Sequence, residues 1–143
     1  MQRELREYVS GGKLSVDRDQ GVLRGVKLLG MESRNGSRYT VAALRQAAPL
    51  YEGAKVYVNH PPRGQESRPR DYRDCIGAVR EIQLREDGLY ADFHFNPKHA
   101  LAEQLMWDAQ HAPANVGFSH HAQGRGRQED GRFLVEEIVE VRS

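Results

Sequence analysis

The stretch "CIGAVREIQLREDGLYADFHF" (75–95) holds two runs of β-branched, aromatic and aliphatic residues on either side of "REDG" (85–88), an Asp-Gly hairpin signal. In the second run Leu89, Ala91, Phe93 and Phe95 recur every second residue, so a strand would carry all four on one face. The hairpin anchors the reading of the segments around it. Upstream, "GVLRGVKLLG" (21–30) reads as a glycine-bounded strand and "ESRNGSRY" (32–39) contains an Asn-Gly turn signal. Thr40 is placed to cap an alanine-rich helix, "VAALRQAA", that Pro49 stops, and "AKVYVNH" (54–60) reads as a strand that delivers His60 to its end. Pro61 and Pro62 forbid its continuation, so "PPRGQESRPRDYRD" (61–74) reads as a long polar loop.

Downstream, Asn96 and Pro97 suit the N-cap and first position of a helix, "KHALAEQLMWDAQ" (98–110), with Leu101 and Leu105 as its buried stripe. The strand "NVGFSHHA" (115–122), a glycine- and arginine-rich loop "QGRGRQEDG" (123–131) and a last strand "RFLVEEIVEV" (132–141) complete the chain. About six or seven strands and two helices without a repeat predict one β-rich α+β domain, barrel-like and largely antiparallel, over 21–143 behind a polar segment 1–20.

Composition narrows the function. The chain has 143 residues, enough for one core, and its 21 basic and 20 acidic side chains leave a net charge of +1. No global field favours nucleic acid or an anionic membrane. A single cysteine, Cys75, excludes an internal disulfide framework and suits a reducing, cytoplasmic setting. No apolar run approaches the roughly 18 residues of a membrane span. Six histidines raise the question of a metal, but Cys75 has no partner cysteine and no close ligand pair stands out, so neither metal nor cofactor is expected. Arginines in both loops are interleaved with Glu66, Asp71, Asp74, Glu129 and Asp130, which reads as solvated loop surface.

Ser119 and His60 are the residues with catalytic chemistry. A serine hydroxyl becomes a nucleophile only when a base within hydrogen-bond reach takes its proton. His120 would point to the opposite face of the strand and His121 lies two residues along, whereas His60 ends a strand before a long loop. Gly117-Phe118-Ser119-His120-His121 lacks the second glycine of a nucleophile elbow, which argues against an α/β-hydrolase.

The blocks "SRNGSRYTVAALRQAAPLYEGAKVYVNHPP", "IGAVREIQLREDGLYADFHFNPKHALAEQLMWDA", "NVGFSHHAQG" and "DGRFLVEEIVEVRS" resemble, in that order, the phage prohead (capsid maturation) serine protease family, itself akin to the herpesvirus assemblins. The resemblance implies a herpesvirus-protease-like fold and a bacteriophage or prophage serine endopeptidase. Such an enzyme processes scaffold and major capsid proteins, and itself, within the assembling prohead in the host cytoplasm. It implies that His60 of "V-x-H-P" is the general base and Ser119 of "G-x-S" the nucleophile. For the third member, where assemblins use a second histidine, it implies an acid on the last strand. Strict alternation puts Glu137 in an apolar row with Phe133, Val135, Val139 and Val141, while Glu136 and Glu140 fall on the other face, so Glu137 is the residue expected to orient His60. Backbone amides near Ser119, or Arg125 and Arg127, are candidate oxyanion donors. The family pattern continues past Ser143 with another strand, and assemblin-like homodimers are possible, with the helix bearing Leu101, Leu105, Met106 and Trp107 as interface or, preferably, core. A catalytically silent capsid-assembly domain retaining the fold is the alternative.

Overall fold

The computed structural model describes residues 2–10, 14–32, 37–58, 71–129 and 132–142, apart from the side chains of 4, 6–10, 119–123, 129, 132, 133, 136, 137 and 139–142. In chain order the elements are β1 (Gln2–Ser10), β2 (Ser15–Asp17), β3 (Val22–Gly30), β4 (Ser37–Tyr39), α1 (Val41–Tyr51), β5 (Lys55–Tyr57), β6 (Cys75–Arg85), β7 (Gly88–Phe95), α2 (Ala102–His111), β8 (Gly117–Glu129) and β9 (Arg132–Arg142). Single 3-10 turns, Tyr72–Asp74 and Pro113–Asn115, precede β6 and β8.

The strands form two sheets, a four-stranded one ordered β1-β8-β9-β4 and a five-stranded one ordered β2-β3-β7-β6-β5. All pairs are antiparallel except β4 with β9. β1 approaches β3 without pairing to it, so the expected barrel is corrected: among the described residues two open sheets face each other. The β6–β7 hairpin forms as its turn demands, and Leu89, Ala91, Phe93 and Phe95 are all buried. They meet Leu23, Val26 and Leu29 of β3 and, from the first sheet, Leu5, Val135 and Ile138 in one core. Burying such side chains contributes about 1.5–3 kcal/mol each.

α1 joins the sheets by packing on β9 and β6. Thr40 caps it, its hydroxyl accepting from the Ala43 amide at 3.0 Å. Pro49 lies inside the helix rather than ending it, and the helix stops two residues later. Ala43, Leu44, Ala47 and Tyr51 are its buried face.

Three departures from expectation have physical causes. The polar first segment is strand, with β1 paired along β8 and β2 along β3. The glycine- and arginine-rich "loop" is the second half of β8, because its glycines serve close approach rather than flexibility: a Cβ on Gly126 would sit 1.9 Å from the Leu134 carbonyl oxygen. α2 begins at Ala102, not after Asn96, whose side chain instead accepts from the Lys98 amide at 3.0 Å. Its buried stripe is Ala102, Met106 and Ala109, one position on from the expected Leu101 and Leu105, and this leaves Leu101 and Trp107 exposed.

Pairing slips at several points, and in each of β3, β6 and β9 a side chain binds the backbone beside one of them. The Asp92 carboxylate accepts from the Gly25 amide at 3.2 Å where Gly25 takes φ 73°. The Glu52 carboxylate accepts from the Glu81 and Ile82 amides, both at 3.3 Å, where Glu81 takes the left-handed φ of 57°. The Gln46 amide spans the Ile138 peptide groups, donating to its carbonyl at 3.0 Å and accepting from its N–H at 3.1 Å.

At the hairpin end, Lys27 and the Tyr90 hydroxyl both donate to Asp87, which holds its carboxyl below the usual carboxylate range. A carboxyl so depressed in the folded state stabilises it above the unfolded pKa of about 4, and the effect fades as pH falls through the folded value. Asp87→Asn is therefore expected to lower the melting temperature at neutral pH, with the difference from wild type closing below about pH 4. Gly126→Ala is expected to cost about 1–3 kcal/mol in chemical denaturation, because the Leu134 backbone cannot give way without breaking the ladder.

Candidate functional site

Ser119 is not at a strand end. It is the third residue of β8, opposite Tyr8 of β1, and Ser10 opposite Gly117 completes that pairing. On its other side β9 is paired only as far as Arg142 opposite His121. Its neighbour Phe118 turns into the core and meets the Phe93 ring edge-on, centroids 5.2 Å apart at 86°. The start of β8 is thereby seated over β7, the middle strand of the opposing sheet.

β5 approaches from that sheet's far edge. Val56 is opposite Gly77, Tyr57 opposite Cys75, and the Val58 amide donates to the Asp74 carbonyl at 2.9 Å. The strand is short because this last bond meets the 3-10 turn, itself capped by Asp71 accepting from the Arg73 amide at 2.9 Å. Arg73 also pairs with the Asp71 carboxylate, which lies below its ordinary pKa for that reason. The two ends of the segment joining β5 to β6 are thus tied side by side. His60 belongs to that segment and lies outside the described residues.

The backbone register of β9 bears on the carboxylates. Glu137 is opposite Arg125, six residues along β8 from Ser119. At about 3.3 Å per residue that is about 20 Å. Glu140 is opposite Gln123, four residues or about 13 Å from Ser119. The alternation that put Glu137 in an inward row also fails locally, since Val135 and Ile138, three apart, are both fully buried. Arg125 and Arg127 lie on β8 six and eight residues from Ser119, about 20 and 26 Å along the strand and beyond the length of a guanidinium arm.

Two histidines have structural contacts that spacing did not reveal. The His99 ring accepts at Nδ1 from the Leu101 amide at 3.1 Å, leaving Nε2 to donate to the Arg73 carbonyl at 3.0 Å, so one imidazole ties the approach to α2 to the 3-10 turn. The His111 ring lies against Trp107, centroids 4.9 Å apart and tilted by 40°. Among the described residues no three His, Cys, Asp or Glu side chains gather as a metal site would require. No helix there is long and apolar enough to cross a membrane.

No family model and no curated protein sequence matches the chain. Among solved structures, its fold is similar to that of the bacteriophage T4 capsid assembly protease, gp21, with a TM-score of 0.65 over 98% of this chain and 93% of that one, at 16% sequence identity.

Phe118→Ala removes the ring that seats β8 on β7 and is expected to cost about 2–4 kcal/mol in urea denaturation. A cost below about 1 kcal/mol would show that the contact does not hold the strand.

Proposed function

We propose that the chain is a serine endopeptidase of phage head assembly, acting on scaffold and capsid proteins within the prohead in the host cytoplasm. The observation that carries the reading is the likeness to a capsid assembly protease along nearly the whole of both chains. The resemblance of the sequence blocks that contain His60 and Ser119 supports the same reading.

In the proposed mechanism His60 accepts the Ser119 hydroxyl proton as the oxygen attacks the scissile carbonyl, forming a tetrahedral oxyanion beside the β8 amides. Collapse breaks the C–N bond, and the imidazolium gives its proton to the leaving amine. Water, deprotonated by the same imidazole, then hydrolyses the acyl-enzyme and restores the Ser119 hydroxyl. The third member comes from β9. Glu140 is the better carboxylate by register, because its strand position is within what serine, imidazole and glutamate in line can span. Glu137, the expectation from alternation, stands too far along β8.

The test is cleavage of a co-expressed scaffold or capsid precursor. Ser119→Ala and His60→Ala are each expected to lower kcat by about 10³-fold or more, and Glu140→Gln by about 10²-fold or more, with Glu137→Gln within a few-fold of wild type. Equal cleavage by wild type and Ser119→Ala overturns the serine mechanism. No cleavage by any folded form favours a catalytically silent assembly domain.

A further inference from the structure

We infer that Gln46 is a positioning residue that locks the register of β9, and so sets how far along β8 the carboxylates of β9 stand from Ser119. The hairpin end of the β8–β9 pair is regular, from Glu129 opposite Arg132 to Gly126 opposite Val135. Beyond it the pairing slips twice, so that Arg125 faces Glu137, Gly124 faces Ile138, Gln123 faces Glu140 and Ala122 faces Val141. Glu136 and Val139 are the extra residues. Without the slips Gly124 would face Glu137 and His121 would face Glu140, a shift of one residue at Arg125 and Gly124 and of two from Gln123 to His121.

The sequence alone does not choose between these registers. The regular one would bring Val139 to the inner face but Glu137 with it, and the slipped one buries Ile138 instead, at 0% exposure. What distinguishes them is which peptide groups of β9 face α1. The Val135 carbonyl accepts from the Thr40 amide at 3.2 Å, and the next groups taken on that side are the N–H and carbonyl of Ile138, both held by Gln46. In a regular strand the groups pointing to one side recur every two residues. Thr40 and Gln46, six residues apart on the helix, instead bind groups spaced by three. β4 cannot substitute as a template, because its pairing with β9 ends at Tyr39 opposite Val135.

The register itself follows from these bonds whatever the chain does. Its bearing on catalysis rests on the protease reading, in which loss of both slips would carry Glu140 from opposite Gln123 to opposite His121.

The test is cross-strand nuclear Overhauser contacts of Gly124 in the labelled full chain, in the Ser119→Ala background so that the result does not depend on activity. Wild-type Gln46 is expected to give Gly124–Ile138 contacts alone. Gln46→Leu is expected to give a second population, about 10% or more, with Gly124–Glu137 contacts, and adding Glu137→Val to make that population the major one. Gln46→Glu keeps the acceptor and loses the donor, so it is expected to show the second population at a lower level, and it decides the matter if the leucine variant does not fold. A single Gly124–Ile138 register in every folded variant, with only the melting temperature lowered, overturns the proposal.

Discussion

The fold turns on how α1 holds two sheets that do not close on each other. Gln46 supplies β9 with the amide partner that β4 is too short to provide, and Glu52, just past the helix end, supplies two backbone N–H groups of β6 with a carboxylate. Each bond contributes on the order of 1 kcal/mol, small beside the apolar core. Their effect is on specificity. A strand displaced by one residue turns its apolar face outward, and both contacts fall where the ladder is interrupted and its register is least determined. Asp92 does the same for β3 from within the sheet.

This arrangement bears directly on the site. At Ser119 β8 is paired with β1 on one side, its pairing with β9 begins two residues on at His121, and Phe118 seats the strand on Phe93. β5 is fixed by β6, by the Val58–Asp74 bond and, through its start, by the Glu52 clamp, and it leads into the segment that carries His60. The elements flanking Ser119 and the segment that carries His60 belong to different sheets, and the tie between those sheets is α1 together with the shared core.

Much of the architecture was legible where local chemistry and the core agreed. The Asp-Gly turn with its alternating flanks specified the β6–β7 hairpin, and Thr40 marked the start of α1. Reading failed where tertiary contact decided. In β1 charged residues sit between the apolar ones, and a run that pairs along β8 looked like a solvated lead-in. Gly124 and Gly126 looked like loop residues, yet they are where a side chain would collide with Leu5 or with the Leu134 backbone. The slips of β9 are invisible to alternation because the reason for them, Gln46, lies 92 residues away. Alternation alone made Glu137 the expected third member, and the register sets it six residues along β8 from Ser119. Ser119 and His60 were singled out by residue type and by the block resemblance, whereas the distances of the β9 carboxylates along β8 needed the register.

The most direct measurement of the central claim is intact-mass and peptide mass spectrometry after treatment with a fluorophosphonate, which reacts with serines activated by a neighbouring base. The account predicts one adduct per chain, on Ser119, formed at least about a hundredfold more slowly in His60→Ala. An unlabelled Ser119 in folded wild-type protein, or labelling that is indifferent to His60, would contradict it.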